Sequence, residues 1–195
     1  CPVIFLTGQG NEEVATQFKR AGGNDYLVKD ELSPVTLRAS IERVLAEHEA
    51  EQEQLGFEQS LIRMATEDRV TGLLNKNAFI ELFVQELARA ERYERPLTLM
   101  VMDLDGFHRV NEEVGTDGGD QLLASAAVVL RGLLRTTDHF CRFGADRFAV
   151  ALTETGLDVA QPVAERVREY VQNTPFEGRE GKPIALTCTI ALKPI

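Results

Sequence analysis

From Val35 to about Thr66 the chain offers one helix breaker, Gly56, and this stretch separates two quite different patterns on either side of it. Leu37, Ile41, Val44, Leu45, Leu55 and Ile62 form an interrupted apolar stripe, and the run "EHEAEQEQ" favours water. A long linker helix is therefore predicted. It reads equally as a solvated connector or as a short parallel coiled coil pairing two chains, the latter weakened by His48 and Gln52 at seam positions.

Before the linker, Val3 to Thr7 is an apolar run ending in "TGQG", and Asn11 to about Ala21 has helical spacing through Val14, Ala15 and Phe18. "AGGND" breaks that helix, Asp25 to Lys29 reads as a strand, and Ser33-Pro34 opens the next helix as N-cap and first helical residue. The order β-α-β-α favours a parallel sheet. After Asp68 come a helix from Asn77 to about Arg92, a buried strand "PLTLMVMDLD" and a helix from Asp120 to about Arg135. The hairpin "CRFGADRFAVAL", a helix from Val159 to Gln172 and a strand "PIALTCTIAL" follow. This second pattern predicts an α+β domain with helices on one face of a mostly antiparallel sheet. The expected organisation is an α/β portion over 1–46, a linker over 47–66 and the α+β domain over 67–195.

A formal net charge of −10 without a basic stripe argues against nucleic acid as a partner and leaves small nucleotides open. Cys1, Cys141 and Cys188 are odd in number and form no C-x-x-C pair, which argues against a disulfide framework or a zinc site and for a reducing, cytoplasmic setting. Cys141 and Cys188 lie in apolar strands and are expected in the core. With neither an 18-residue apolar segment nor a signal-peptide pattern, no membrane insertion is expected. Because the chain starts at Cys1, within what reads as a strand, it is expected to be part of something longer.

Two carboxylates, Asp103 and Asp105, end the buried strand, and Asp146 sits at the hairpin tip. If those strands are neighbours, their ends converge into an oxygen-rich pocket suited to magnesium and to phosphoryl transfer. The alternative is that each carboxylate only caps a turn.

Four ordered blocks carry a more specific signal: "DRVTGLLNKNAF", "MDLDGFHRVNEEVGTDGGDQLL", "RTTDHFCRFGADRF" and "LTCTIAL". Through them residues 67–195 resemble a GGDEF domain, the diguanylate cyclase family. The resemblance implies a nucleotidyl-cyclase-like α+β fold with a ferredoxin-like core. Active members join two GTP molecules, one held by each half of a dimer, into cyclic di-GMP. It further implies metal binding by Asp103, the Leu104 carbonyl and Asp146, and phosphate binding near Phe107 and His108. Asn111 and Asp120 would read the guanine edge, and Leu73 and Leu123 would line the base. Arg135-Thr136-Thr137-Asp138 matches the R-x-x-D inhibitory site for cyclic di-GMP, with Arg166 as a third member; outside this context the same pattern reads as a helix-end salt bridge.

Several positions depart from the family pattern. Ala145 replaces the second signature glycine, which commonly adopts positive φ, so the turn is expected to bend or crowd. Arg147 replaces the glutamate that assists the metals. Reversing that charge about 5 Å from a divalent ion changes the Coulomb energy by up to about 13 kcal/mol at an effective dielectric near 20. His108, Thr116, Thr189 and Ala191 are further substitutions, and the family's last helix is expected to be missing after Ile195.

Residues 1–46 resemble the second half of a response-regulator receiver, through "PVIFLTGQG" and "AGGNDYLVKDELSP", with Thr7, Tyr26 and Lys29 at switch positions and Asp30 where a proline is usual. The sequence-based expectation is thus a response regulator with a degenerate GGDEF domain, binding cyclic di-GMP, GTP or both, with magnesium weakened and no intact catalytic set. Expected partners are a second copy through the linker or receiver, a sensor kinase and a downstream phosphodiesterase. Two alternatives stay open: an active diguanylate cyclase, and a structural dimerisation module.

Overall fold

The computed structural model describes residues 2–8, 18, 22–177 and 183–195. The chain divides into two compact units, residues 1–62 and 63–195. Among the described residues no helix is long and apolar enough to cross a membrane.

In the first unit, β1 (Ile4–Thr7) and β2 (Asp25–Val28) pair in parallel, Thr7 opposite Val28. The helix expected from Asn11 to Ala21 lies outside the described residues except for Phe18. That ring is buried and meets Phe5 and Tyr26 edge-on, with centroids 4.9 and 5.9 Å away. Lys29 lies in a single 3₁₀ turn, Lys29–Glu31. Helix α1 (Pro34–Thr66) opens as its sequence suggests: Ser33 Oγ accepts from Thr36 N–H at 3.1 Å while Thr36 Oγ1 accepts from Ser33 N–H at 2.9 Å. Gly56 does not interrupt it. Ser40 and Arg43 of α1 both donate to the Asp25 carboxylate, tying the helix to β2. Every residue from Glu49 to Ala65 is exposed.

The second unit is built on a four-stranded antiparallel sheet in the order β4-β5-β3-β8. Its elements are α2 (Lys76–Tyr93), β3 (Thr98–Leu104), α3 (Phe107–Gly132), β4 (His139–Arg142), β5 (Arg147–Leu152), α4 (Leu157–Asn173), β6 (Phe176–Glu177), β7 (Pro183–Ile184) and β8 (Cys188–Pro194). Alternation along the two central strands divides the core. Met100, Met102, Leu104, Phe148, Val150 and Leu152 face the side packed by α3 and α4. Leu99, Val101, Ala149 and Ala151 face the side packed by Phe79, Phe83 and Leu87 of α2. Helices therefore cover both faces, which corrects the one-face expectation. An unbroken apolar run such as that of β5 is what a strand buried on both sides requires.

Three further elements differ from the pattern-based reading. Helix α3 begins at Phe107, well before Asp120, and breaks at Gly115 (φ 79°, ψ 170°). Because its early polar residues mask the apolar period, the helix is visible only from about Asp120 onward. The last strand is two pieces: Pro183–Ile184 pairs with β6, and Cys188–Pro194 pairs with β3. The short β6 has no periodicity to betray it.

Candidate functional site

The site lies where β3 ends, α3 begins and the β4–β5 hairpin turns. Asp103 and Arg147 are direct cross-strand partners, and Leu104 N–H donates to the Asp146 carbonyl at 3.1 Å. On the other flank Asp105 N–H donates to the Thr187 carbonyl at 2.9 Å. Both neighbouring strands thus clamp the end of β3.

The three carboxylates have different employments. Asp105 accepts from the hydroxyls of Thr187 and Thr189 at 2.7 and 2.8 Å, so it fastens the turn to β8. Asp103 faces a cation of the protein itself, Arg147 Nε lying 3.1 Å from Asp103 Oδ2. Asp146 is partly exposed at the tip. Among the described residues no group of three or more His, Cys, Asp or Glu side chains gathers as a metal cluster. With one of its two carboxylates already ion-paired and a guanidinium beside it, the donor set does not fit a pair of divalent ions.

The tip itself is held from below. Arg142 donates through Nε and Nη2 to the Ala145 carbonyl at 3.1 and 2.7 Å, and through Nη1 to Asp68 Oδ1 at 3.3 Å. Asp68 also accepts from Thr71 N–H and Oγ1 at 2.9 and 2.8 Å. Burial pushes the Asp68 carboxyl up, but the bonds from Thr71 and the Arg142 charge outweigh it and hold it below its usual range. Neither Arg142 nor Asp68 stood out as functional in the sequence, since their contact spans 74 positions. The only local trace is the turn-forming spacing of Asp68 and Thr71. Among the described residues the non-glycines with positive φ are Glu94 and Glu154. Ala145 therefore carries no left-handed strain.

The break at Gly115 lies between Asn111 and Gly119 in α3, and the Asn111 amide rests against Gly119. A Cβ on Gly119 would overlap Asn111 Oδ1 and would touch Phe107 at 3.5 Å, so the glycine is what lets the amide lie beside the helix. Asn111 and Asp120 are half-buried, His108 is exposed, and Phe107, Leu73 and Leu123 are buried in the main core. An amide and a carboxylate together have the donor and acceptor groups that complement the edge of a purine.

A second locus surrounds the loop between α3 and β4. Arg135, Asp138 and Arg166 line one cavity of about 370 Å³ together with Leu133, Leu152 and Val159. Asp138 is buried, and its carboxylate accepts from the backbone N–H of Arg135 at 2.9 Å and of Thr153 at 3.3 Å, so it shapes the loop. Arg131, unforeseen from the sequence, braces the same loop through the Asp138 and Thr136 carbonyls at 2.8 and 3.4 Å. Arg166 donates to the Leu133 carbonyl at 2.6 Å. The Arg135 guanidinium is exposed and makes no hydrogen bond or ion pair among the described residues.

The profile described as "Diguanylate cyclase, GGDEF domain" matches residues 65–193. The chain belongs to the GGDEF domain family. It is 36% identical to diguanylate cyclase DgcP of Pseudomonas aeruginosa over 159 residues, 80% of this chain and 23% of that protein. It is 31% identical to the response regulator PleD of Caulobacter vibrioides over 131 residues, 67% of this chain and 29% of that protein. The chain thus spans about a quarter of the length of these relatives. Among solved structures, the coiled coil and GGDEF domain of DgcB from Caulobacter crescentus, in complex with c-di-GMP, superimposes with a TM-score of 0.70. That pair is 27% identical, with 80% of this chain and 83% of the other covered. The α+β architecture of residues 63–195 is that of a GGDEF domain.

Proposed function

We propose that this GGDEF domain is degenerate: it binds guanine nucleotides, with cyclic di-GMP as its regulatory ligand, and does not synthesise cyclic di-GMP efficiently. The observation that carries the binding half is the cavity lined jointly by Arg135, Asp138 and Arg166. A guanidinium can fork onto a phosphate or a guanine edge, and Arg135 is free to do so while Asp138 fixes the loop that presents it. The other half rests on the ion pair between Arg147 and Asp103, which occupies the carboxylate that catalysis would need for a metal. GTP would be held by Asn111 and Asp120 at its base, with Leu73 and Leu123 behind, and by the region of Phe107 and His108 at its phosphates. Any magnesium would rest on Asp103, the Leu104 carbonyl and Asp146, and would supply phosphate charge neutralisation.

Residues 1–46 are proposed to be part of a receiver, with Thr7, Tyr26 and Lys29 as its switch positions, residues 47–66 a linker, and 67–195 the GGDEF domain. The parallel pairing of β1 with β2 supports this reading. A second copy joined through the exposed linker helix, a sensor kinase and a phosphodiesterase are the corresponding partners, in a cytoplasmic setting. Titration calorimetry with cyclic di-GMP tests the proposal: wild type binds, and Arg135→Ala loses at least tenfold in affinity. Equal binding by the two, or no binding by either, would refute it.

A second reading, an active diguanylate cyclase, is favoured by the name of the relative DgcP. Incubation with GTP and magnesium separates the two readings.

A further inference from the structure

We infer that Glu86 and His139 form a proton-operated control on Arg135, so that the cavity of Arg135, Asp138 and Arg166 binds its anionic ligand more tightly as the imidazole becomes charged. The inference concerns the regulation of the proposed cyclic di-GMP site and rests on that assignment.

Arg135 has two cavities to choose between. Besides the one it shares with Asp138 and Arg166, it lines a second of about 400 Å³. Glu86 and Arg89 of α2, Arg95 of the loop before β3, His139 of β4 and Glu154 of the loop after β5 line that second cavity too. Arg95 and Glu154 pair with each other at 3.7 Å. Glu86 is shared: Arg89 Nη1 lies 3.8 Å from its Oε1 and His139 Nε2 lies 3.6 Å from the same oxygen. On the other side of His139 a third cavity brings Glu67, Arg131 and Asp138. Of these, Arg131 is committed to backbone carbonyls and Asp138 to backbone N–H groups.

At 3.6 Å the His139–Glu86 contact is too long for a hydrogen bond, so it attracts only as an ion pair, with the imidazole protonated. Its partners are 25% and 22% exposed, so the charge that appears there is screened less than on an open surface. With the imidazole neutral, Glu86 is answered only by the distant and exposed Arg89, and its remaining charge competes with the ligand for the unpaired Arg135 guanidinium. Protonation balances Glu86, releases Arg135 and adds a positive charge to the cavity. All three effects favour an anion on Arg135. By linkage, an anion bound there must draw a proton onto the imidazole.

The experiment is calorimetric titration of the full chain with cyclic di-GMP at about pH 5.5 and about pH 8, on either side of the range in which histidine changes charge. Titrations near neutrality in buffers of different ionisation enthalpy measure proton uptake. The proteins are wild type, His139→Gln, Glu86→Gln and Arg135→Ala, with thermal melts at both pH values as the folding control. The phosphodiesters of cyclic di-GMP keep their charge throughout, so any pH dependence belongs to the protein.

Wild type should bind about three- to fivefold more tightly at the lower pH and take up a fraction of a proton. His139→Gln should match wild type at the higher pH, show no pH dependence and take up no proton. Glu86→Gln should bind about two- to fivefold more tightly than wild type at the higher pH. A wild-type affinity equal at the two pH values, the wild-type pH dependence retained in His139→Gln, or no gain in Glu86→Gln would overturn the inference. If His139→Gln does not melt cooperatively, wild-type proton uptake and Glu86→Gln decide the matter. Absence of wild-type binding at both pH values would instead overturn the assignment of the cyclic di-GMP site, and the inference with it.

Discussion

Replacing Arg147 by glutamate should make the stability of the second unit depend on magnesium, where the wild type's does not. Arg147 Nε lies 3.1 Å from Asp103 Oδ2. Unit charges at that separation attract by about 1.3 kcal/mol in bulk water and by about 5 kcal/mol at an effective dielectric of 20. Since both side chains are half open to solvent, the net value falls to about 0.2–1 kcal/mol. Arg147→Glu removes this and sets two carboxylates directly across the strand pair, adding a penalty of similar size. The total loss in EDTA is about 0.5–2 kcal/mol, a fall in melting temperature of about 2–8 °C for a unit of this size. A divalent ion bridging the two carboxylates then restores it. Thermal melts of wild type and variant, each in EDTA and in magnesium chloride, measure all four values. A wild-type melting temperature that rises with magnesium as much as the variant's would refute the reasoning, because Arg147 would then not be blocking the position.

Asp68→Asn should cost about 1–3 kcal/mol at neutral pH through the bonds from Thr71 and Arg142. Against the upward push of burial, the bonds from Thr71 and the Arg142 charge hold the Asp68 carboxyl below the ordinary aspartate value of 3.8. Its contribution is therefore complete above that value and disappears as pH falls through the lower native pKa, so the stability curves of wild type and variant should converge in acid. Gly119→Ala raises helix propensity by up to about 1 kcal/mol, but its methyl group displaces Asn111. GTP affinity measured by titration should fall, and an unchanged affinity would show that the amide does not read the base. Burial pushes the Cys141 thiol up to about 12 and the Cys188 thiol to about 11. At pH 8 both should resist a thiol-reactive dye in the native protein and react only on unfolding, and rapid labelling of either in the folded state would contradict their burial.

The elements most legible in the sequence are those whose signal is local. The hairpin announces itself by two apolar runs around Gly144, β3 by its unbroken apolar stretch, and α1 by 33 residues with one glycine. The Ser33-Pro34 start is likewise a matter of adjacent residues. What the sequence conceals depends on partners far along the chain. Nothing near Arg142 points to Asp68, and nothing near Arg131 says that it braces the loop before β4. The apolar run of β5 is readable in the sequence, but its alanine positions, Ala149 and Ala151, gain meaning only with α2 packed over them. At the candidate site the substitution at Arg147 was legible as chemistry, and its exact cross-strand placement against Asp103 required the sheet register. Asp138 carries a role its residue type does not announce: besides lining the cavity with Arg135 and Arg166, its carboxylate accepts from two backbone N–H groups and so shapes the loop. Conformation also answered a question that residue type alone posed wrongly, since Ala145 follows a glycine pattern at a turn that here needs no positive φ.

The central claim is that Arg147, paired with Asp103, separates nucleotide binding from synthesis in this GGDEF domain. Its most direct test is product formation: concentrated wild type, Arg147→Glu and Asp103→Ala proteins incubated with GTP and magnesium, with cyclic di-GMP measured by chromatography. The account predicts no product from wild type or Asp103→Ala and detectable product from Arg147→Glu. Wild-type synthesis that Asp103→Ala abolishes would contradict it.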